Sequence, residues 1–600
     1  MSTRARSGRS FVLAIKLLMP LLAAAQTIPP DRLAAWSQPG SAAAFVPAPT
    51  VFLSSFGADN TGVAPCDSAL SAAIAALGGP GQVVIPAGDY LFTQPIVLPD
   101  SIILQGEADP ALGTTVSRLL LSPGPNAHGI VIAGTEAPIS GITSGYGTQG
   151  SSIASVSSTS GIMAGDLLRL IPSDDSTLVN DWWGVGQTGQ IVQVASLINA
   201  TSVTVYRPMR RNMVLGSVYR ITPRRQVHLR CLAIKRVDAS PDQVANILFS
   251  NAMDCSLSGV SGELCNYAHV DIFRSTQVTV SNCFFKDAHS YGSGGKGYGV
   301  LVDFTSGDCY IHRNTFEHLR HSMILQAGAN GNVFAYNHST APFWSAFPLP
   351  SDAAGDLVLH GNYPYMNLFE GNVVQNIVID DSHGINGPNN TFFRNRAELY
   401  GIVMNAAPPS DHQTFIGNQV TDTTSALLGL YLLQGIDHFE YGNQIKGTVL
   451  PVGTTEPTMA SLFNYPFPPF YAASPGIPPI RNNNWLATDP LNEAEYRKEV
   501  LGRPAYCGNN VIYVPTGIAG DPSAAQAFAV YPVPANDRLV IEGPLGAGDR
   551  LRAVDALGRT VGEWRAAGGR TELDLVGLAP GLHFLLLPDV GRTVLRFVKE

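Results

Sequence analysis

The stretch DLVLHGNYPYMNLFEGNVVQNIVIDDSHGINGPNNTFFRNR, residues 356–396, decides the fold. It carries two steps of a ladder, Asn372 in LFEGN and Asn395 in FFRN. Asn314 in RNTF, Asn337 in FAYN, Asn418 in FIGN and Asn443 in EYGN extend it, with gaps of 23, 35, 23, 23 and 25 residues. A near-constant period with an aromatic shortly before most of the asparagines marks a repeat architecture. Each unit holds short β-branched runs such as NVVQNIVI and ends at a polar turn, which suits strands better than helices. About 23 residues per turn is what a coil of three short parallel strands needs, so the expected class is all-β, a parallel β-helix.

The period also predicts which side chains meet. Equivalent positions on adjacent coils lie about 4.8 Å apart. His360 stands 12 residues before Asn372 and His383 stands 12 before Asn395, which makes the two imidazoles vertical neighbours. Both precede a glycine, where the backbone can bend or another molecule can approach. Asp380 and Asp381 lie just upstream of His383, and Arg394 and Arg396 flank Asn395. The candidate active surface therefore combines imidazole, carboxylate and guanidinium groups.

Six hundred residues exceed one ordinary domain, but a repeat array grows past that limit because each coil touches only its neighbours. Charged residues make up 14% and the formal net charge is −9, which excludes the basic surface of a nucleic-acid binder. A polyanionic substrate needs only a local cationic groove. Seven cysteines without CxxC or Cys/His spacing argue against structural zinc and for burial as small apolar residues.

Residues 1–25 read as an export signal. Arg4, Arg6 and Arg9 precede FVLAIKLLMPLLAAA, and Ala23–Ala25 suit cleavage, while Lys16 and Pro20 interrupt the apolar run and argue against a retained anchor. No later segment is apolar enough to span a membrane. Residues 26–46 are a linker. Residues 67–77 show helical apolar spacing with Asp67 as cap, and VVIP and IILQG beyond them are strands.

FGADNTG, this Ala-rich helix, VVIPAGDY and the later LQG resemble the opening of right-handed parallel β-helix proteins of the pectate-lyase-like superfamily. The resemblance implies a helix capping the first coil, over a β-helix spanning 47–515. Members of that superfamily include lyases, hydrolases, epimerases and phage adhesins, so the resemblance does not by itself choose the chemistry.

Within that span, residues 149–222 lose the asparagine rhythm and read as a small β insertion. Its Trp182–Trp183 pair is either a sugar platform or a packing contact. Asn282 is read as an earlier ladder step. Two further excesses are loops: the Gly/Ser-rich 286–299, bearing His289, Tyr291 and Lys296, and HSTAPFWSAFPLPSDAAGD with Trp344. Both adjoin the coils of His360 and His383 and are expected to wall a groove. The Gly-rich loop lacks nucleotide-binding spacing. After 450 the Pro- and Asn-rich sequence is expected to block the last coils. A linker at 516–526 leads to alternating strands over 527–600, read as a β-sandwich.

That tail resembles the C-terminal sorting domain of type IX secretion cargo, through Tyr531-Pro532-Val533-Pro534-Ala535, Asp555-Ala556-Leu557-Gly558-Arg559, Leu578-Ala579-Pro580-Gly581 and Arg596-Phe597-Val598-Lys599. The resemblance implies the type IX machinery as a partner and a secreted or cell-surface location.

A polysaccharide lyase must neutralise a uronate carboxylate and remove the C5 proton. The sequence offers Arg394 or Arg396 as neutraliser and His383 or His360 as base. Asp380 and Asp381 orient the histidines or hold calcium instead. Arg320, His321, Glu370, Trp344, Tyr363 and Lys296 are the expected substrate contacts. A glycoside hydrolase needs two carboxyl groups, for which Asp380, Asp381, Asp356 and Glu370 are candidates. The leading expectation is β-elimination of an acidic polysaccharide by an exported enzyme. A hydrolase and a non-catalytic surface glycan binder are the alternatives. For each singled-out side chain a structural role stands beside the functional one: turn asparagines bonding their vertical neighbours, surface ion pairs for the arginines, and a stacked pair for the histidines.

Overall fold

The computed structural model describes residues 28–34, 36, 39–41, 49–109, 114–345, 349–405, 408–457, 459, 461–463, 492–507, 529–531, 535–543, 545–555, 560–587 and 593–599. The export signal, the 516–526 linker and parts of the tail motifs lie outside the described residues. The chain divides into two compact units, Met1–Tyr513 and Val514–Glu600.

The first unit is a parallel β-helix. One wall stacks parallel strands in chain order from Thr50–Phe52 through Tyr310–His312, Val333–Ala335, Leu368–Glu370, Thr391–Phe393 and Thr414–Ile416 to Phe439–Tyr441. After Val333–Ala335 the same coil adds His338–Thr340 and then Leu357–Leu359, so a coil uses three strands as the period predicts. Register follows the ladder: Val333 pairs with Leu368, Leu368 with Thr391, and Thr391 with Thr414.

The asparagines hold the corners between strands. Asn372 Nδ2 donates to Asn395 Oδ1 at 2.8 Å and to Phe334 O at 2.9 Å, while its own Oδ1 accepts the Asn337 amide groups. Asn314, Asn337, Asn395 and Asn418 repeat the pattern down to Asn443. These bonds satisfy buried turn amides that would otherwise be lost to water. Asn282 is not a step. Asn314 Oδ1 accepts from Cys283 N, one residue on, and Asn282 instead accepts from Arg497. A second ladder, absent from the sequence reading, runs through Asn332, Asn367 and Asn390 to Gln413 with the same 35- and 23-residue spacings. Inside the coil, Phe369, Phe392 and Phe415 stack at centroid distances of 4.9 and 5.1 Å. Each such pair contributes on the order of 1 kcal/mol beyond area burial.

The helix Asp67–Leu77 buries Ala69, Leu70, Ala73 and Leu77 on the first coil, as the sequence predicts. Asp67 does not cap it. Cys66 is the N-cap, and the Asp67 carboxylate accepts from Thr93 and Gln94, just past the strand Gly88–Phe92. The β insertion starts at Thr135, earlier than residue 149, because Thr135–Pro138 pairs with the far half of Met213–Thr222. Gly145–Gly147 pairs with both Ile153–Val156 and Met213–Thr222, closing the antiparallel sheet into a small barrel around its own core. Closure leaves few exposed strand edges.

Most of the Pro- and Asn-rich stretch expected to block the last coils, residues 464–491, lies outside the described residues, and residues 492–507 that follow it lie elsewhere. Asn492 caps the helix Glu493–Glu499 and donates to Asn337 O and Gly371 O, and Arg497 reaches Asn282 and Arg313 O, so the segment lies along middle coils. All seven cysteines are buried. The second unit holds a three- and a four-stranded antiparallel sheet whose buried side chains form one cluster. No helix among the described residues is long and apolar enough to cross a membrane.

Candidate active site

The outward face of the long strands Tyr298–Asp303, His321–Leu325, Leu357–Leu359 and Val373–Ile379 carries the candidate chemistry. Val302, Leu325, Leu359 and Ile379 are register partners and point inward, so the next residue of each strand points out. Those four are Asp303, Gln326, His360 and Asp380. His360 Nδ1 lies 2.6 Å from Asp380 Oδ2. The vertical neighbour of His360 is thus Asp380, not His383. His383 reaches the same place from the following turn, its ring 4.8 Å from that of His360 and nearly perpendicular to it. The glycines after both histidines are required. Gly361 (φ +76°) and Gly384 (φ +86°) are left-handed, and a Cβ on Gly361 would fall 2.7 Å from His383 C.

The insertion supplies the second partner. His383 Nδ1 contacts Asp181 Oδ2 at 2.7 Å, and the backbone of Asn180 and Asp181 is held by Asn362 Oδ1. Trp183 packs edge-on against His383 at 5.3 Å, while Trp182 is 86% exposed. His321 Nδ1 donates to Gly355 O at 2.8 Å, and burial, then the Arg320 charge, hold its pKa well below the usual imidazole value. His321 and His383 therefore have Nδ1 hydrogen-bonded to an acceptor, which assigns the proton there and leaves Nε2 free to accept one, while His360 Nδ1 approaches Asp380 without hydrogen-bond geometry. Burial alone would raise the Asp380 carboxyl. The His360 ring and the Ser382 donors prevail and hold it below the ordinary carboxylate range.

The site extends into an arc of rings: Phe273, Phe304, Trp183, His383, His360, His321, Tyr298 and Tyr267, each centroid within 6.0 Å of the next. Its two ends converge on a pair of acids that the sequence reading missed, Asp271 and Asp303, 6% and 1% exposed. Gln326 Nε2 donates to Asp303 Oδ2 at 3.4 Å, and neither acid has a donor on its Oδ1. Burial pushes Asp271 up to about 7, and burial plus the Asp271 charge pushes Asp303 well above the usual range. Burial and the same two acids raise the Tyr267 hydroxyl. Their signal in the sequence is an aspartate inside an apolar strand, VDIF and VDF.

The two loops meet over this floor. Tyr291 packs on Phe343 at 5.0 Å, and Arg320 donates to Gly292 O while lying over the rings of Tyr298 and Trp344. Lys296 sits on the Gly-rich loop. Asp381 is buried beside Asp380 and anchors the turn by accepting Gly384 N on its carbonyl.

Other expected residues are placed elsewhere. Arg396 pairs with Val373, at the opening of a strand that shifts register between Val374 and Asn376 before its far end leads to Asp380. Arg394 is buried at the same distant corner, donating to Pro457 O and Met459 O. Glu370 is fully buried on the other sheet, accepting from Tyr336 and Leu462. Tyr363 lies under Arg211 of the insertion. Asp356 is fully buried, accepting from Ser339, Gln375 and Asn376. Calcium does not fit either: the Asp380 carboxylate is taken by His360, Ser382 and Asn405, and no three metal-ligating side chains converge among the described residues.

Residues 52–119 match the family described as rhamnogalacturonase A/epimerase, pectate lyase-like. Comparison with curated proteins finds no match. Among solved structures, the tailspike protein of Pseudomonas phage LKA1 is similar at 15% identity and TM-score 0.46, over 65% of this chain; the chain spans 64% of the tailspike's length. An exopolygalacturonase from Thermotoga maritima is similar at 12% identity and TM-score 0.29, over 68% of this chain and 80% of that one. A surface adhesin of Streptococcus pneumoniae is similar at 12% identity and TM-score 0.34, over 66% of this chain and 85% of that one.

Proposed function

We propose that the chain is an exported carbohydrate-active enzyme that cleaves an acidic polysaccharide in this groove, and that it does so by hydrolysis. The observation that carries the reading is the ring arc ending on two buried acids. Aromatic faces suit pyranose rings, and buried carboxyls with an oxygen left without a donor are costly unless chemistry uses them. Asp303, whose burial beside Asp271 favours the protonated form, donates to the departing glycosidic oxygen. Asp271 supplies the second carboxyl that the two-carboxyl mechanism requires. Substrate reaches them as the loop 286–299 lifts; its Gly294, Gly295 and Gly297 are left-handed, and Gly295 rests on Tyr267. Arg320 and Lys296 attract the acidic chain. The N-terminal export signal and the tail resembling a type IX sorting domain support action outside the cell.

Elimination is the second reading, favoured by His383, whose ring is half-exposed and held by Asp181 with Nε2 free. It lacks the expected neutraliser, because Arg394 and Arg396 stand at the wrong end of the strand. A screen of uronate-containing glycans decides. New reducing ends without ultraviolet-absorbing product, lost in Asp303→Asn, support hydrolysis. Unsaturated product lost in His383→Ala and retained in Asp303→Asn establishes elimination. Retention without turnover makes the chain a glycan-binding surface protein.

A further inference from the structure

We infer that Cys231 and Cys507 form a disulfide that fastens the 492–507 segment to the coils, a covalent site separate from the proposed groove. Cys66, Cys255, Cys265, Cys283 and Cys309 are buried with Sγ against backbone carbonyls: Asp59, Met253, Tyr298, Ser281 and Gly307. Cys231 and Cys507 also reach carbonyls, those of Cys507 and Gly259, and differ in that these contacts bring the two cysteines to each other. Arg230 pairs with Ser258, so Gly259 is stacked on Cys231, and a Cβ on Gly259 would lie 2.9 Å from Cys507 Cα. Cys231 Sγ is 3.8 Å from Cys507 O, and Cys507 Sγ is 3.7 Å from the carbonyl oxygen of Gly259, the residue stacked on Cys231. With Ala108 they form a separate small apolar cluster.

The position gives the bond a use. Residues 492–507 hold the coils through Asn492 and Arg497 on one side and through Tyr506 N, which donates to Asn282 O, beside Cys507 on the other. A bond there closes a long loop and removes entropy from the unfolded chain. The oxidant is a small-molecule disulfide. The Cys231 thiolate attacks one of its sulfurs and expels a thiolate. The Cys507 thiolate then attacks the Cys231 sulfur of the mixed disulfide and expels the second, so two electrons and two protons leave the protein. Both sulfurs are buried, so the exchange occurs before the segment has fully docked, and docking then shields the product from reduction.

The full chain is incubated with glutathione disulfide, then denatured and labelled with a maleimide. The wild type is expected to take five labels on its seven cysteines, and all seven after reduction. Cys66→Ser keeps the bond and loses one label; Cys507→Ser loses the bond, so each of its remaining cysteines is labelled. Peptide mapping without reductant shows 231 joined to 507, and reductant lowers the melting midpoint of wild type but not of Cys507→Ser. Seven labels on the oxidised wild type, or a map joining other cysteines, overturns the inference. Glycan cleavage is not read in any arm, so the outcome is independent of the proposed activity.

Discussion

The two ends of the long strand Val373–Ile379 follow opposite rules. At its opening, Asn372 is fully buried, every amide atom has a partner, and Arg394 and Arg396 are committed to backbone carbonyls and Gln419. At its close the groups are just as crowded but unevenly matched: imidazoles with a free nitrogen, joined on earlier coils of the same face by two carboxyls with an oxygen that no donor reaches. Burial and polarity alone do not separate a scaffold from a site. What distinguishes the site is a cluster of buried acids and imidazoles with displaced pKa values, since isolated unpaired atoms such as Thr391 Oγ1 and Thr414 Oγ1 occur in the scaffold as well.

The largest effects should fall on opposite properties at the two ends. Asp303→Asn keeps shape and burial and removes the proton donor, so cleavage should fall by about 10²–10⁴-fold while the melting midpoint holds or rises. Asn372→Ala should do the reverse. It strands Asn337 N–H and Phe334 O in the interior, and at about 1–3 kcal/mol for each lost partner should cost about 2–5 kcal/mol in denaturant unfolding, with turnover per folded molecule unchanged. If Asn372→Ala abolished turnover in fully folded protein, the contrast between the ends would be void.

His383→Ala should come next, with about a 10- to 100-fold loss, since under hydrolysis the ring positions substrate and under elimination it is the base. A loss as large as that of Asp303→Asn, with unsaturated product, would move the reaction to elimination.

The same contrast has a pH signature. Asp271 has a folded pKa of about 7 against an unfolded value near 4, so the folded state binds the extra proton across that window. Stability associated with this acid is full below pH 4 and is lost as pH rises through about 7. Asp271→Asn should flatten that part of the melting-midpoint profile. Asp356, Glu370 and Glu495 are likewise raised to about 7 by burial and will keep part of the slope. Cleavage should also decline above neutral pH as the acid pair ionises.

The scaffold was legible because its period is written once per coil: asparagines 23 residues apart can only be stacked corners. The site was legible only in part. His360 and His383 do meet, but the turn after Ile379 carries His383 past the register position, so the contact follows from a longer corner rather than from equal spacing. Alternation put Arg394 and Arg396 on one outward face; Arg394 takes a left-handed backbone (φ +54°), which breaks alternation at the corner. Asp271 and Asp303 were hidden as single polar letters in apolar strands. Asp181 comes from 202 residues away, a distance that no local pattern spans.

The smallest effect tests where the groove ends. Trp182 and Trp183 are adjacent in sequence, yet Trp183 packs between His383 and Phe304 while Trp182 projects into solvent. Trp183→Ala should disturb both stability and turnover, because it removes a ring from the arc and a wall from His383. Trp182→Ala should leave stability within about 0.5 kcal/mol, since an exposed side chain has few contacts to lose. If the glycan runs out of the groove across the insertion, stacking on Trp182 contributes about 0.5–1 kcal/mol, and the mutant's Kd for a long chain should weaken about two- to fivefold. Oligosaccharides that fit within the ring arc should bind both proteins equally. Equal affinity for long chains as well would end the binding surface at Trp183 and make the insertion only a holder for Asp181.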